Sequence, residues 1–303
     1  MSGRQGFTLV ELSVAMVLGL MVGGLVHRML LHGSRLARAQ AERMALQENV
    51  RVAALVLAGE LGGVGSDEIT PEASVALGYP AGVRSDLLLI QPGAITYLAG
   101  RGAGRVCGVA PGVPPEIMIA ESSWESLRAP RSTDSLLVFA ESDSATGSDD
   151  AWIHLGIVSV GAGICPGGEV GIAVGVAAPA PLDPAALARV TSGSPARLAE
   201  VMQMRYYRSG GKSWFGMRSV STGEAITPVA GPLADSTAGV RGLTLVYRDA
   251  ADAITSDPAA VRAVEIALIG VTDQPVHGRD PRRPLVDSFA LATRVTLRNG
   301  LRP

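Results

Sequence analysis

The hydrophobic pattern divides the chain into three stretches, of which the first is an almost unbroken apolar run from Phe7 to Val26. Glu11 is the only charged side chain in this run. As an α-helix with a rise of about 1.5 Å per residue, the run would span about 30 Å, which matches the hydrocarbon core of a bilayer. The pattern therefore predicts a membrane-spanning helix near the N-terminus.

The second stretch, His32–Leu61, contains no proline and is rich in helix-forming residues. Its apolar positions recur at steps of three and four, which predicts an amphipathic continuation of the same helix, ending near Leu61 before Gly62 and Gly63. A coiled-coil stalk is the alternative, although Arg43 interrupts the heptad. The predicted stripe that faces a globular head consists of Leu36, Ala39, Leu46, Val50, Ala53 and Leu57.

The third stretch begins after Gly65, where short β-rich runs alternate with clusters of Gly, Pro, Ser and Asp. This texture predicts a mostly antiparallel sheet, with one short helix at Pro184–Val190 and a flexible glycine-rich loop at Gly100–Gly104. The predicted strands are Asp86–Gln91, Ser135–Ala140, Trp152–Val160, Val170–Val176, Val201–Arg208, Ser213–Val220, Leu243–Arg248, Ala263–Gly270 and Ser288–Arg298.

Composition narrows the class of protein. Hydrophobic residues make up 47% and charged residues 18%, which excludes a disordered chain. The formal net charge is −2. A protein that holds nucleic acid by its phosphates normally carries a basic excess, so nucleic-acid binding is not indicated.

Three interpretations compete for the N-terminus. A secretory signal peptide needs a small-residue cleavage site after its apolar region, but the run continues through His27 into the helical pattern. A plain membrane anchor explains the length of the run and the positive flank at Arg4. It does not explain Glu11, because an acidic residue in a spanning helix costs about 2.5–3.5 kcal/mol.

The third interpretation accounts for Glu11. The segment Gly6-Phe7-Thr8-Leu9-Val10-Glu11 resembles the prepilin leader of the type IV pilin-like family. The resemblance implies that a membrane peptidase cuts after Gly6 and that Phe7 becomes an N-methylated terminus. It also implies that Glu11 pairs with the terminal amine of a neighbouring subunit and sets the stagger between helices. Two charges that are each costly in lipid become tolerable together.

The C-terminal half is similar to PilW-type minor pilins and to the related J-type minor pseudopilins. The similarity rests on paired strands around a turn and on three later strands, and it spans roughly residues 200–299. Residues 66–200 carry no resemblance. The segments that carry it are Val201–Arg208, Trp214–Arg218, Val240–Tyr247, Val261–Leu268 and Thr293–Asn299.

The resemblance implies an α+β, pilin-like fold in four parts: a cleaved leader (1–6), a transmembrane assembly half of the helix (7–31), an amphipathic half (32–62) and a β-rich head (63–303). The expected partners are other major and minor pilins, the prepilin peptidase and an inner-membrane assembly platform. The expected location is the bacterial inner membrane, with the leader cytoplasmic and the head periplasmic, and then a surface filament. No cofactor is expected.

Two further groups of residues are candidates for chemistry. Cys107 and Cys165 would form a disulfide if the head lies outside the cytoplasm, or remain two buried thiols; they lack the neighbouring ligands of a metal site. The polar run 141–150 is a weak calcium candidate because its spacing does not match an EF-hand, and a solvated loop is favoured. Its carboxylates are Glu141, Asp143, Asp149 and Asp150.

The residues indicate no enzyme signature, since the four histidines are scattered and no nucleophile elbow or phosphate-binding loop occurs. The leading hypothesis is a structural minor type IV pilin that primes assembly and lies at or near the pilus tip. The alternative is a minor pseudopilin of a type II secretion system. A membrane-anchored periplasmic enzyme or sensor is a third hypothesis, which requires neither cleavage after Gly6 nor Glu11.

Overall fold

The computed structural model describes residues 8–65, 85–141, 150–177, 184–236, 241–277 and 284–297. It confirms the predicted α+β, pilin-like class: one long helix, α1 (Leu9–Gly62), packs on a large antiparallel sheet. The strands are β1 (Leu87–Gln91), β2 (Ala94–Ala110), β3 (Glu116–Ala120), β4 (Glu125–Ser126), β5 (Ser135–Ala140), β6 (Ala151–Ile164), β7 (Val170–Ala177), β8 (Pro195–Ser209), β9 (Lys212–Ser219), β10 (Thr227–Leu233), β11 (Leu243–Arg248), β12 (Ala263–Val271), β13 (Val276–His277), β14 (Pro284–Leu285) and β15 (Ser288–Thr296).

Only the second half of α1 is covered by the head. Its buried residues begin at Leu46 and recur on one face, as Val50, Ala53, Leu57 and Leu61. The predicted stripe is wrong at Leu36, which is exposed because the sheet does not reach that turn, and Ala39 is only half-buried. The coiled-coil interpretation is also wrong, since the chain's own sheet covers the stripe.

The helix packs directly on Gly270 in β12. A Cβ placed on Gly270 would lie 2.5 Å from Cγ2 of Val50 and 2.7 Å from Cδ1 of Leu46. A larger residue at this position would fit only if the side chains of Val50 and Leu46 moved. On the flank of the same contact, the guanidinium of Arg43 bonds the carboxylate of Asp287 over 2.7 Å.

The head contains two separate hydrophobic cores. The first, here called the helix-side core, joins α1 to side chains from β1, β2, β8–β12 and β15, including the fully buried Tyr97 and Phe215. The second receives no residue from α1. Its buried members are Val106, Ile117, Ile119, Leu136, Val138, Ala140, Ile153, Leu155, Ile157, Val174, Val176, Val190, Ala196 and Leu198.

The second core fills a closed ring of strands. Each neighbouring pair is antiparallel, and the order β2–β3–β7–β6–β5–β8 returns to β2. A closed ring leaves few free strand edges and encloses its own apolar interior. A two-turn 3₁₀ helix, Pro184–Arg189, lies where the short helix was predicted. We call the six strands β2, β3, β7, β6, β5 and β8 the strand ring. The strands that pack against α1 are here called the helix-side sheet. β2 and β8 belong to both.

The sequence pattern did not predict β2, the longest strand that the structure describes. The segment Gly100–Gly104 is part of the 17-residue β2, so the prediction of a flexible loop there is wrong. Two of its glycines are packing positions: a Cβ on Gly102 would lie 2.6 Å from Cβ of Ser126, and one on Gly104 would lie 2.7 Å from the ring of Trp124. Strands β3 and β10 and the two-residue strands β4, β13 and β14 were also not predicted, while the nine predicted strands each overlap an observed one.

Candidate functional site

The first turn of α1 is closed by Thr8 and Glu11. Thr8 is the N-cap, and its hydroxyl oxygen accepts a hydrogen bond from the Glu11 N–H at 3.3 Å. In return the backbone N–H of Thr8 donates to Oε2 of Glu11 at 2.9 Å, and its hydroxyl donates to the same oxygen at 3.0 Å. This reciprocal arrangement is a capping box, which satisfies N–H groups that a helix start leaves without partners.

The capping box holds the Glu11 carboxylate at the positive end of the helix dipole. All of its bonds join Thr8 to Glu11, so they do not depend on the residues before Thr8. Sequence reasoning singled out Glu11 but missed Thr8, although the pattern Thr-x-x-Glu before an apolar run is a recognised signal. Gly6 and Phe7, the predicted cleavage position and new terminus, lie outside the described residues.

The N-terminal, apolar half of α1 has no packing partner in the described chain. α1 is one helix that is long and apolar enough to cross a membrane, and its most apolar window is not buried by the rest of the protein. A Cβ on Gly19, Gly23 or Gly24 would meet nothing within 4 Å, and the helix is continuous through all three. The exposed apolar surface of this half is thus available to lipid or to other helices.

The other end of α1 is held by partly buried charges. Tyr97 of β2 donates its hydroxyl to the Glu60 carboxylate over 2.7 Å. Arg101, also on β2, lies 3.6 Å from Glu60 and bonds Glu200 of β8 over 2.9 Å. Burial, reinforced by the negative charge of Glu60, raises the pKa of the Tyr97 phenol, which stays neutral.

The charge cluster continues into the strand ring. Arg128 bonds both carboxylate oxygens of Asp134, at 2.6 and 2.7 Å, and lies 3.2 Å from Glu200. Burial opposes ionisation of Glu200, but hydrogen bonds from Ser219, Arg101 and Arg128 outweigh it and lower its pKa below 4.5. We call this group of six residues the charge seam. It consists of Tyr97 and five charged residues, Glu60, Arg101, Arg128, Asp134 and Glu200.

The charge seam was not found from the sequence, because its members are distant in the chain and carry no common motif. It links the last turn of α1 to strands that serve both cores. Paired charges of this kind fix geometry, since each is costly if it loses its partner. The seam therefore adds a polar contact between the head and the end of the helix to the apolar packing of the helix-side core.

Cys107 and Cys165 are disulfide-bonded in the structure, with their Cα atoms 5.6 Å apart. Cys107 lies in β2 and Cys165 directly follows β6, so the bond ties the β6–β7 turn to the neighbouring wall of the strand ring. The crosslink encloses a long stretch of chain, with a sequence separation of 58.

The calcium candidates are not brought together by the described residues. Glu141 is exposed and Asp150 half-buried, while Asp143 and Asp149 lie outside the described part of the chain. Within the described ranges, no group of three or more His, Cys, Asp or Glu side chains is arranged to hold a metal ion.

The comparison with known protein families agrees with the helix start. Residues 1–26 match the prokaryotic N-terminal methylation motif. No curated protein and no solved structure gives a significant match. The motif, together with the apolar helix and the fold, supports a type IV pilin or pseudopilin: a structural, membrane-anchored protein processed by a prepilin peptidase and assembled with other pilins.

Proposed function

We propose that this chain is a minor type IV pilin of the PilW type, which primes filament assembly and lies at or near the tip. The observation that carries the proposal is the methylation motif at residues 1–26, which runs directly into α1. One half of this helix is apolar and exposed, and the other half is packed against the head. The exposed half is the part that other subunits would pack against. The prepilin peptidase would cut after Gly6, and Phe7 would be N-methylated.

In this proposal Glu11 pairs with the terminal amine of Phe7 on a neighbouring subunit. The capping box supports the role because it holds Oε2 toward the helix start, and among described residues Oε1 accepts no hydrogen bond. A slip of one helical turn would move the two charges about 5.4 Å apart along the axis. In lipid such a separation is costly, so the pair selects one stagger.

The size of the head supports a minor rather than a major subunit. The strand ring adds a second core that owes nothing to α1, whereas major pilins of the resembled family are usually much shorter. A minor pseudopilin of a type II secretion system would use the same helix, motif and leader. The two machines are distinguished by deleting the gene and measuring surface pili in a sheared fraction against secretion of exoproteins.

The leader is tested with Gly6→Leu, which should accumulate as an unprocessed precursor in membranes, detected by mass spectrometry of the N-terminus. Gly3→Leu is the control, because it enlarges a leader residue away from the cut and should be processed normally. A mature N-terminus at Phe7 in Gly6→Leu would contradict the cleavage site.

The assembly role is tested with Glu11→Ala, which should insert into the membrane but be lost from sheared filaments. Ser13→Ala is the control: within the described residues its hydroxyl bonds only the backbone carbonyl of Leu9, so it should be incorporated normally. Equal incorporation of the Glu11→Ala subunit and the wild type would contradict the proposed pairing of Glu11 with the terminal amine.

A further inference from the structure

The second half of β6 presents a strand edge without a partner. β6 pairs with β5 from Ala151 to Gly156 and with β7 from Gly156 to Ile164. Beyond Gly156, β5 has ended, so one edge of Ser159–Ile164 is left without a strand neighbour among the residues that the structure describes. Backbone N–H and C=O groups on such an edge are ready to pair with another strand.

This edge lacks the usual protection. Natural edge strands are blunted by charged side chains, proline or bulges. No Asp, Glu, Lys or Arg occurs between Asp150 and Glu169, and the one bulge, between Ile157 and Ser159, precedes the regular segment. The hairpin also exposes large apolar side chains, with Ile164 at 72% and Val160 at 40%.

The edge is held rigid at its far end. Cys165 follows Ile164 directly, and its bond to Cys107 ties the hairpin to β2. A strand that is already fixed in its bound conformation gives up less conformational entropy when a partner adds to it. The free edge is therefore preorganised for pairing.

We propose that Ser159–Gly163, within this free edge, pairs antiparallel with the same segment of a second copy of this chain, about a two-fold axis at Gly161. The segment is self-complementary in this register: Ser159 faces Gly163, Val160 faces Ala162, and Gly161 faces itself. Every facing pair is uncharged, and each contains at least one small side chain. Like charges therefore do not oppose the contact, and bulky side chains do not clash across it.

The expected contact is small. A pair of five-residue edges buries less than the roughly 1,200–2,000 Å² of standard stable interfaces, so the dimer should be weak in dilute solution. Anchoring by α1 confines the copies to one membrane and raises their effective concentration. The test is therefore made on the full chain in membrane vesicles.

Gly161→Cys tests the two-fold pairing, because the two introduced thiols would face each other. A Cβ there meets nothing within 4 Å, and the same is true of Gly167 in the adjoining turn. Under mild oxidation Gly161→Cys should give a disulfide-linked dimer in several-fold greater yield than Gly167→Cys. Peptide mass spectrometry identifies the 161–161 crosslink and checks that Cys107–Cys165 is retained.

A second substitution separates edge pairing from random collision. Val160→Lys, added to Gly161→Cys, should reduce the crosslink several-fold because it puts a charge on the edge. Val170→Lys is the matched control. Val170 is also exposed, but its strand, β7, is already paired with β6, so the same added charge should leave the crosslink yield unchanged. Equal yields for Gly161→Cys and Gly167→Cys, no effect of Val160→Lys, or a crosslink from Gly161→Cys to a different protein would each overturn the proposal.

Discussion

Tyr97 donates a 2.7 Å hydrogen bond to Glu60 and thereby joins the middle of the head to the last turns of α1. The Tyr97 side chain is fully buried, so its hydroxyl has little access to water. The bond is also the point where the charge seam meets the helix. Several measurable consequences depend on contacts of this kind.

Tyr97→Phe should lower the free energy of unfolding by about 1.5–3 kcal/mol, because the bond is made to a charged, partly buried carboxylate. The measurement is urea denaturation of the full chain in detergent, followed by tryptophan fluorescence. Tyr207→Phe is the control, since Tyr207 is half-buried and its hydroxyl makes no hydrogen bond within the described chain. Equal stability of the two variants would mean that the Glu60 contact contributes nothing.

The stability of the head should fall at acid pH through Glu200. Because the folded pKa lies below the ordinary value of 4.5, the folded state binds fewer protons than the unfolded state. This contribution is complete above pH 4.5 and is lost as the pH falls through the folded pKa. Glu200→Gln should cost about 3 kcal/mol at pH 7, and the difference from wild type should shrink toward pH 3.

The comparison is made by urea unfolding between pH 3 and pH 7. Glu224→Gln, at an exposed position, provides the control and should follow the wild-type pH profile. A Glu200→Gln profile parallel to that of the wild type would show that the carboxylate does not carry the acid dependence.

The crosslink between Cys107 and Cys165 should appear as a single disulfide in the purified protein. In the chain-entropy model a loop of this length stabilises by about 4 kcal/mol. Cys107→Ser with Cys165→Ser should therefore lower the denaturation midpoint to the same extent as reduction of the wild type. Two free thiols in the native protein, titrated with a thiol reagent after denaturation, would contradict the pairing.

The steric fit at Gly270 predicts that Gly270→Ala destabilises by about 1–3 kcal/mol, since the new methyl would overlap Val50 and Leu46. Gly59→Ala lies on α1 with open space around it and should instead be neutral or stabilising by about 0.5–1 kcal/mol. Thermal unfolding by circular dichroism distinguishes them. A Gly270→Ala protein as stable as Gly59→Ala would mean that the helix can shift away from the sheet at little cost.

The capping box predicts a graded effect at Thr8. Thr8→Ala removes the oxygen that accepts the Glu11 N–H and should lower incorporation into filaments, because an N-cap contributes about 1 kcal/mol to a helix start. Thr8→Ser keeps a hydroxyl and should be incorporated like the wild type. Identical yields of Thr8→Ala and Thr8→Ser in sheared filaments would show that the hydroxyl does not orient Glu11.

The spacing of apolar residues and local turn signals predicted most of the helices and strands. Contacts between residues distant in the sequence were not predicted. The helix end near Leu61 and strands such as β5 and β12 follow from apolar spacing that each segment carries by itself. β2 escaped because Gly102 and Gly104 are conventional loop signals, and the neighbours that require them, Ser126 and Trp124, become visible only after folding.

Ring closure and the charge seam escaped for the same reason. β2 pairs with β8 about a hundred residues later, and no local pattern encodes that pairing. For the candidate site, the acidic residue in the apolar run was informative because its cost in lipid demands a partner. The capping partner Thr8 carries a local signal, because it stands three residues before Glu11 at the start of the apolar run.

β2 leads the chain into the strand ring and β8 leads it out, and the two strands are neighbours. Arg105 of β2 stands opposite Pro195 of β8, so the chain leaves the helix-side sheet and returns to it at adjacent positions. A short turn joining these two residues would remove the whole intervening stretch while keeping the β2–β8 hairpin and the core against α1. The helix-side core takes no residue from between Arg105 and Pro195, so a different recognition module exchanged for this stretch would leave the packing against α1 in place.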